Sequence, residues 1–399
     1  MKRLLFVSIL LLLTACFVFS YDFGLLVNQQ IEVSNSSFGY IPAFVPWFSL
    51  NGSNGLSVYA SGYFSLKYNN YNDNNEDENG WRNPVLLPEL SRFSAAYRIN
   101  PRFSIEAGRI GYSDTMGLAA LGLFDGLRLE ADLGKGKLSV GAFYTGLLYK
   151  ETAMIIMTES DIESYLEPWD FSNFGNYFAS KRLLASLRYD MPIFEYHILT
   201  LEALAQFDLN GTEETLNSQY GSMMIELFPQ GKVGLIFGAV FETMLDSNGD
   251  FNMAIGALAR YRMDAPTPLN DGINVIAKFG SGLWNDTFTA FLPVSSPAQG
   301  IIFPGNICGL AVFSADYTVR LHYTVSAETA FMYYMRSYND VLAKGNLYGG
   351  ELQASVAWQP LDDLRLTVAA VVFFPGMGNA YPDGTETMWK IMAGFAISF

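Results

Sequence analysis

Read in steps of two, residues 389–399 separate cleanly. Trp389, Ile391, Ala393, Phe395, Ile397 and Phe399 form one set, and Lys390, Met392, Gly394, Ala396 and Ser398 form the other. The first face is apolar with aromatics at both ends, and the second is small, polar or charged, which is the period of a β-strand. The pattern recurs. Leu56, Val58, Ala60, Gly62, Phe64, Leu66 and Tyr68 alternate with Ser57, Tyr59, Ser61, Tyr63, Ser65 and Lys67. Leu183, Ala185, Leu187 and Tyr189 oppose Arg182, Leu184, Ser186 and Arg188, and Leu352, Ala354, Val356 and Trp358 oppose Glu351, Gln353, Ser355 and Ala357. From Leu364 to Phe374 the apolar set is opposed by Asp363, Arg365, Thr367, Ala369 and Val371. Each run is long enough to cross a bilayer when tilted, at roughly 9–11 residues.

The connectors sort by length. Short links are predicted at Asn51–Gly55, Ile99–Arg102, Gly134–Gly136, Asp190–Glu195, Pro229–Lys232, Asp264–Asp271, Asp316–Val319 and Gln359–Asp362. Between them fall generally longer ones at Ser34–Ile41, Asn69–Leu87, Ser113–Ala120, Glu151–Phe178, Leu209–Leu216, Ser247–Asp250, Asn285–Gly305, Ser337–Gly345 and Gly376–Thr385. Tight turns at one end and long loops at the other are the rhythm of a membrane barrel. The expected fold is all-β: a transmembrane, antiparallel, up-and-down β-barrel of about 18 strands, with mature strands beginning at Phe23 and both termini on the short-turn side. A reading with fewer strands across Ser34–Phe48, and none divided at Asp316–Val319, gives 16. Backbone groups cannot stay unpaired in hydrocarbon, so such a sheet must close on itself.

Composition alone would also suit a large soluble β-protein. Charged residues are 16% and aromatics 15% of the chain, against roughly 25% charged in soluble domains. No run of about 18 apolar residues follows the N-terminal segment. Net charge is −15, which argues against a nucleic-acid partner. Met1-Lys2-Arg3 followed by the apolar stretch Leu4–Leu13 reads as an export signal. The expected division is 1–20 signal peptide and 21–399 a single barrel domain. Cleavage after Val18-Phe19-Ser20 competes with a lipobox-like Leu13-Thr14-Ala15-Cys16, where Cys16 would carry lipid. Either way at most Cys308 remains as a free thiol, and no disulfide framework is possible.

The ending Phe395, Ile397, Phe399 resembles the terminal strand of Gram-negative outer-membrane β-barrel proteins of the porin-like kind. The resemblance implies an outer-membrane location with periplasmic termini, contact with outer-membrane lipid, and delivery by the barrel-assembly machinery, which reads Phe395, Ile397 and Phe399. It allows a homotrimer, as in many porins. Gly108-Arg109 on one strand before Asp125-Gly126 on the next also resembles a pattern of substrate-type porins, with Arg109 turned inward by a bulge near Gly108.

A barrel of this size leaves an aqueous lumen, so the inward charges carry the functional reading. Inward cations are predicted at Lys67, Arg92, Arg98, Arg128, Arg182, Arg188, Arg260, Arg262, Lys278, Arg320, Arg365 and Lys390. Inward acids are predicted at Glu130, Asp132, Glu202, Asp208, Glu328, Glu351 and Asp363. A basic wall would favour anionic solutes; the competing reading is cross-strand pairing that stiffens the wall. The acidic excess sits in loops, at Asp73, Glu76, Asp77 and Glu78 and at Glu159, Asp161, Glu163, Glu167 and Asp170. The loop Glu151–Phe178 either folds inward as a constriction or lies on the surface. Asn69–Trp81 is expected to be an exposed loop.

His197 and His322 are the chain's two histidines, both mapped near short turns, which disfavours a hydrolase at the outer rim. No Cys/His cluster suggests zinc, no phosphate loop is present, and no cofactor is expected. The expected function is passive diffusion of small hydrophilic solutes, leaning toward anions. An adhesin or structural barrel with ligand-binding loops, and a fatty-acid-type transporter for hydrophobic substrates, are the alternatives.

Overall fold

The computed structural model describes residues 19–399 except 53–54, 72–84, 170–172, 195, 212–213, 285–287, 339–344 and 383. Its strands are β1 (Phe19–Ser34), β2 (Ser37–Gly52), β3 (Leu56–Tyr71), β4 (Val85–Asn100), β5 (Phe103–Ser113), β6 (Leu121–Asp132), β7 (Lys137–Tyr144), β8 (Arg182–Ile193) and β9 (His197–Asp208). They continue as β10 (Leu216–Leu227), β11 (Val233–Asp246), β12 (Phe251–Asp264), β13 (Gly272–Gly280), β14 (Leu310–His322), β15 (Val325–Arg336), β16 (Leu347–Leu361), β17 (Leu364–Phe374) and β18 (Met388–Ser398). Each pairs antiparallel with the next, and β18 pairs with β1 from Leu26↔Ser398 to Ser34↔Lys390. The 18-strand sheet is therefore closed, and no edge is left for hydrocarbon to meet unpaired.

The two faces separate as alternation requires. Along β8, Leu183, Ala185 and Leu187 are exposed while Arg182, Leu184 and Ser186 are buried. The exposed apolar set continues around the wall through Phe44, Phe64, Phe93, Leu127, Phe237, Phe313, Val356 and Ile391. That is the surface a lipid chain can cover without loss of hydrogen bonding. The opposite face encloses the lumen.

Short connectors 53–55, 101–102, 133–136, 194–196, 228–232, 265–271, 323–324 and 362–363 lie at one end, which also holds the start of β1 and the end of β18. Side-chain turn chemistry builds several of them: Asn100 Oδ1 accepts the N–H groups of Arg102 and Phe103, and Asp132 Oδ1 accepts that of Gly134. At the other end lie 35–36, 114–120, 145–181, 209–215, 247–250, 281–309, 337–346 and 375–387 so far as their residues are described.

Three expectations need correction. Asp316–Val319 is the middle of β14, because the Asp316 carboxylate is used across the sheet to accept Asn274 Nδ2 at 3.0 Å. The turn comes later, at 323–324, where Tyr and Thr give no Gly, Pro or Asn signal. The first loop is only 35–36, since Ser34 Oγ accepts the N–H of Ser37 at 3.1 Å and closes the chain tightly. The connector 247–250 falls where it was predicted and is tight for its side, with Asp246 Oδ1 accepting from Asn248 and Asp250 at 2.9 Å each. β1 begins at Phe19, ahead of the predicted Phe23, because Phe19 to Asp22 pair with Ser49 to Gly52 of β2. The rest of the predicted signal segment, with Cys16, lies outside the described residues, as does most of Asn69–Trp81.

Candidate functional site

The lumen is not an open tube on all sides. Three long connectors, 114–120, 145–181 and 281–309, place apolar side chains against the inner wall. Met116, Leu118, Leu148, Ile155, Met157, Phe291, Val294, Phe303 and Ile307 join Tyr112, Phe124, Phe143, Leu184, Leu204, Tyr220, Val240, Tyr334 and Phe373 from the strands in one buried cluster. The sequence expectation for Glu151–Phe178 left an inward or a surface position open, and much of this segment is packed inside.

Loop 145–181 carries α1 (Lys150–Ala153) and α2 (Glu159–Leu166). Thr158 and Asp161 form a capping box at the start of α2, satisfying N–H groups that a helix end leaves unpaired. Lys150 is buried and donates to the carbonyls of Ser164 and Glu167 at the other end of the helix. Tyr149, Trp169 and Tyr177 pack over Leu87 of β4, and the Tyr177 hydroxyl donates to the Pro88 carbonyl at 2.7 Å. Asp161 reaches the wall itself, meeting Arg182 of β8 at 2.5 Å, while Asp208 of β9 holds the same guanidinium at 2.8 Å. All three are sealed from solvent.

Loop 281–309 is fixed by two wall carboxylates. Glu242 of β11 accepts the N–H of Leu292 at 2.8 Å, and the Tyr220 hydroxyl donates to the Leu292 carbonyl at 2.7 Å. Glu351 of β16, fully buried, accepts three successive N–H groups, from Ile301, Ile302 and Phe303 at 2.8, 3.1 and 2.9 Å. A run of three aligned N–H dipoles is an anion nest, filled here by the protein's own carboxylate. The three loops also touch each other: Val294 N–H donates to Ala119, Ser296 N–H donates to Met154, and Leu121 N–H donates to Ser295 Oγ.

No family model matches the sequence, and no curated protein is detectably similar to it. Solved structures do resemble this barrel, among them three from Pseudomonas aeruginosa. OpdK with vanillate superimposes with a TM-score of 0.60 at 12% identity, covering 95% of this chain and 98% of that one. OpdQ gives 0.59 at 12% identity over 95% and 99% of the two chains, and OprD gives 0.56 at 12% identity over 95% of each. The likeness is one of fold. Like OpdK and OprD, this chain is a single closed barrel along nearly its whole length.

The predicted cations sort into three groups in this barrel. Arg182 is sealed against Asp161 and Asp208 and touches no water. Lys67, Arg92, Arg128, Arg188, Arg262 and Lys390 each meet an acid: Glu151, Glu106, Glu106 with Glu130, Asp190, Asp264 and Glu32 respectively. Arg98, Arg260, Lys278, Arg320 and Arg365 have no carboxylate within 4 Å among the described residues. Arg260 donates to Asn274 at 2.6 Å and Lys278 to Gln299 at 3.1 Å. Both contacts are to neutral oxygens, which leave the positive charge uncancelled. Cross-strand pairing and an excess of free cation thus coexist on the same wall.

Arg109 is buried and forks onto both oxygens of Asp125 at 2.9 Å, with further bonds to the carbonyls of Leu90 on β4 and Leu147 in loop 145–181. The β5–β6 register is unbroken through Gly108, so no bulge is present there. Gly108 instead takes φ +120°, and a Cβ at that position would lie 2.1 Å from the Phe93 carbonyl oxygen. Sequence reasoning did not single out Asp114, which organises loop 114–120, or Glu242, which holds Leu292. The connector expected at Asn285–Gly305 runs from 281 to 309, and sequence reasoning gave it no role. Its apolar Phe291, Val294, Ile302 and Phe303, too many for a solvated loop, are the signal of its inward course.

His197 and His322 sit at the short-turn end. His197 packs between Phe194 and Phe228, and His322 Nδ1 lies 3.0 Å from Thr324 Oγ1. Among the described residues, no group of three or more His, Cys, Asp or Glu could hold a metal ion.

Proposed function

We propose that this protein is an outer-membrane channel through which small hydrophilic solutes diffuse passively, with a lean toward anions. The observation that carries the reading is the division of the closed wall. Its outward positions are apolar around the barrel, and its inner face holds charged side chains above a partial obstruction made of loops. An adhesin needs no charged lumen. A carrier of apolar substrates has little use for Arg98, Arg260, Lys278, Arg320 and Arg365.

The lean toward anions rests on those five cations, since charge left uncancelled in a narrow lumen biases which ions enter. One solved structure of similar fold contains vanillate, a small carboxylate, and a wall of this kind would suit solutes of that class. The outer membrane as location, periplasmic termini, delivery by the assembly machinery and contact with its lipid follow from the same reading, and it allows an assembly of three copies.

Single-channel recording of the refolded protein in a planar bilayer tests it. Stable steps on the scale of nanosiemens in molar salt, with a reversal potential toward the anion side in a KCl gradient, are expected. Silence from protein shown to be folded and inserted would mean that the loops seal the lumen, and the adhesin or structural reading would replace this one.

A further inference from the structure

Loop 114–120 is wrapped around a carboxylate. Asp114, only 2% exposed, accepts the N–H groups of Met116, Ala119 and Ala120 at 3.0, 2.9 and 2.8 Å. The next residue, Thr115, gives both its N–H and its hydroxyl to one oxygen of Glu202 on β9, at 2.5 and 2.6 Å. The Tyr112 hydroxyl gives to the other at 2.8 Å. Two buried carboxylates therefore flank a single peptide unit, and among the described residues neither has a cation within 4 Å.

The groups around them do not cancel these charges. Tyr112 on β5 and Tyr220 on β10 present hydroxyls. Arg188 on β8 stands opposite Glu202 in register but is held by Asp190 at 2.9 Å. Arg128, Glu130 and Lys137 line the same cavity of about 240 Å³ as Glu202. There Arg128 is shared between Glu106 and Glu130, and Lys137 meets Glu130. Glu242 on β11, fully buried behind Tyr220, brings no cation either. The loop in turn supports the obstruction: Ala119 O accepts the N–H of Val294 at 2.7 Å, and Met116 lies over Gly238 of β11.

We propose that Asp114, with the charge of Glu202 behind it, is a proton sensor that tightens loop 114–120 in the lumen when the medium outside turns acid. The inference rests on the channel reading for its purpose but not for its chemistry. Burial pushes the Asp114 carboxyl up to about 6, with Glu202 acting in the same direction and the three N–H donors opposing it. A loop swung into water would return Asp114 to the ordinary value, about 3.9. The folded-in state thus binds the proton more tightly. Its stability rises as pH falls from about 6 toward about 4, and is constant below that. Above about 6 Asp114 carries its charge beside Glu202, and that repulsion works against the folded-in loop. Acid therefore narrows the passage, and neutral medium loosens it.

The full chain recorded in planar bilayers between pH 8 and pH 4.5, at constant KCl, tests this. Open-channel noise and conductance are expected to fall together with a midpoint near 6. Asp114→Asn, which carries no charge at any pH, should abolish the pH response, with a loop somewhat looser than the parent's acid form because the amide keeps one accepting oxygen of the two that now take N–H groups. Glu202→Gln should move the midpoint to lower pH. A response that both variants leave unaltered overturns the proposal, as does a conducting channel without any pH response. Hydrogen exchange at Met116, Ala119 and Ala120 in micelles, corrected for intrinsic rates, needs no current. Slower exchange below pH 6 that Glu202→Gln displaces supports the sensor even in a barrel that never conducts, which would sink only the channel reading. Exchange independent of pH sinks the sensor itself. If Asp114→Asn fails to fold, Glu202→Gln carries both readouts.

Discussion

Leu25 and Phe399 exchange backbone hydrogen bonds across the closure of the barrel. The N–H of Phe399 gives to the Leu25 carbonyl at 2.9 Å, and that of Leu25 returns to the Phe399 carbonyl at 3.2 Å. The side chain of Phe399 is 72% exposed on the outer face, so the residue serves the joint through its backbone and leaves its ring free for a partner. Deleting Phe399 removes one rung of the β1–β18 ladder and the ring together. The amount of heat-modifiable, folded protein in the outer membrane is expected to drop. Replacement by Ala restores the rung without the ring, so a defect that persists in Phe399→Ala belongs to recognition. Normal assembly of the deletion would remove Phe399 from the assembly signal.

Arg182 is the second point of leverage. Its guanidinium is fully buried between Asp161 of the inner loop and Asp208 of the wall. Removing one partner of a buried ion pair typically costs about 3–5 kcal/mol, because the charges left behind have no water. Arg182→Ala should free loop 145–181 from the wall while the lipid-facing strands stay in place. Limited proteolysis is then expected to nick the chain near Glu159–Leu166 in the variant and not in the parent. Equal resistance in both would show that the aromatic packing over Leu87 suffices.

Glu351 holds loop 281–309 through three N–H groups at once. Truncation in Glu351→Ala leaves those donors buried without an acceptor, at about 1–3 kcal/mol each. The loop should then leave the wall, raising single-channel conductance and current noise. Glu351→Gln keeps one carbonyl oxygen and should lie between the parent and the Ala variant. Conductance unchanged in Glu351→Ala would mean that this loop does not border the path of ions.

Selectivity offers a separate handle. Among the described residues Arg260 bonds to a neutral amide and meets no acid, and Arg262 is opposed by Asp264 at 3.3 Å. With both changed to Ala, the reversal potential in a KCl gradient should move toward cations. Most of that movement should come from Arg260, whose charge is uncancelled. A double variant with the parent's potential would favour a wall whose charges serve only to stiffen it.

The closed barrel and its count of strands were legible because lipid enforces a two-residue alternation that each strand repeats. Leu183, Ala185 and Leu187 against Arg182, Leu184 and Ser186 needed no structure to be told apart. Punctuation was less secure. Asp316 looked like a turn residue but spends its carboxylate on Asn274, and Tyr323-Thr324 turns without any customary residue. The inner loops were the least legible. Parity places Glu202 and Glu351 on the lumen face, yet it cannot say that Thr115 or Ile301 will come from far along the chain to meet them. Nor could spacing reveal that Asp114 closes its loop, since its partners are backbone amides, which every residue has.

The apolar cluster inside the wall has a consequence for the order of assembly. This barrel has a greasy exterior that lipid will cover and a greasy interior that only its own loops can cover. Residues 25 and 399 are separated by almost the entire chain, and contacts so distant in sequence are the slowest to form. The loops that line the inside belong to hairpins far shorter than that span. Tucking is therefore expected to precede zipping, with the rung between Leu25 and Phe399 closing over loops that the protein has packed for itself.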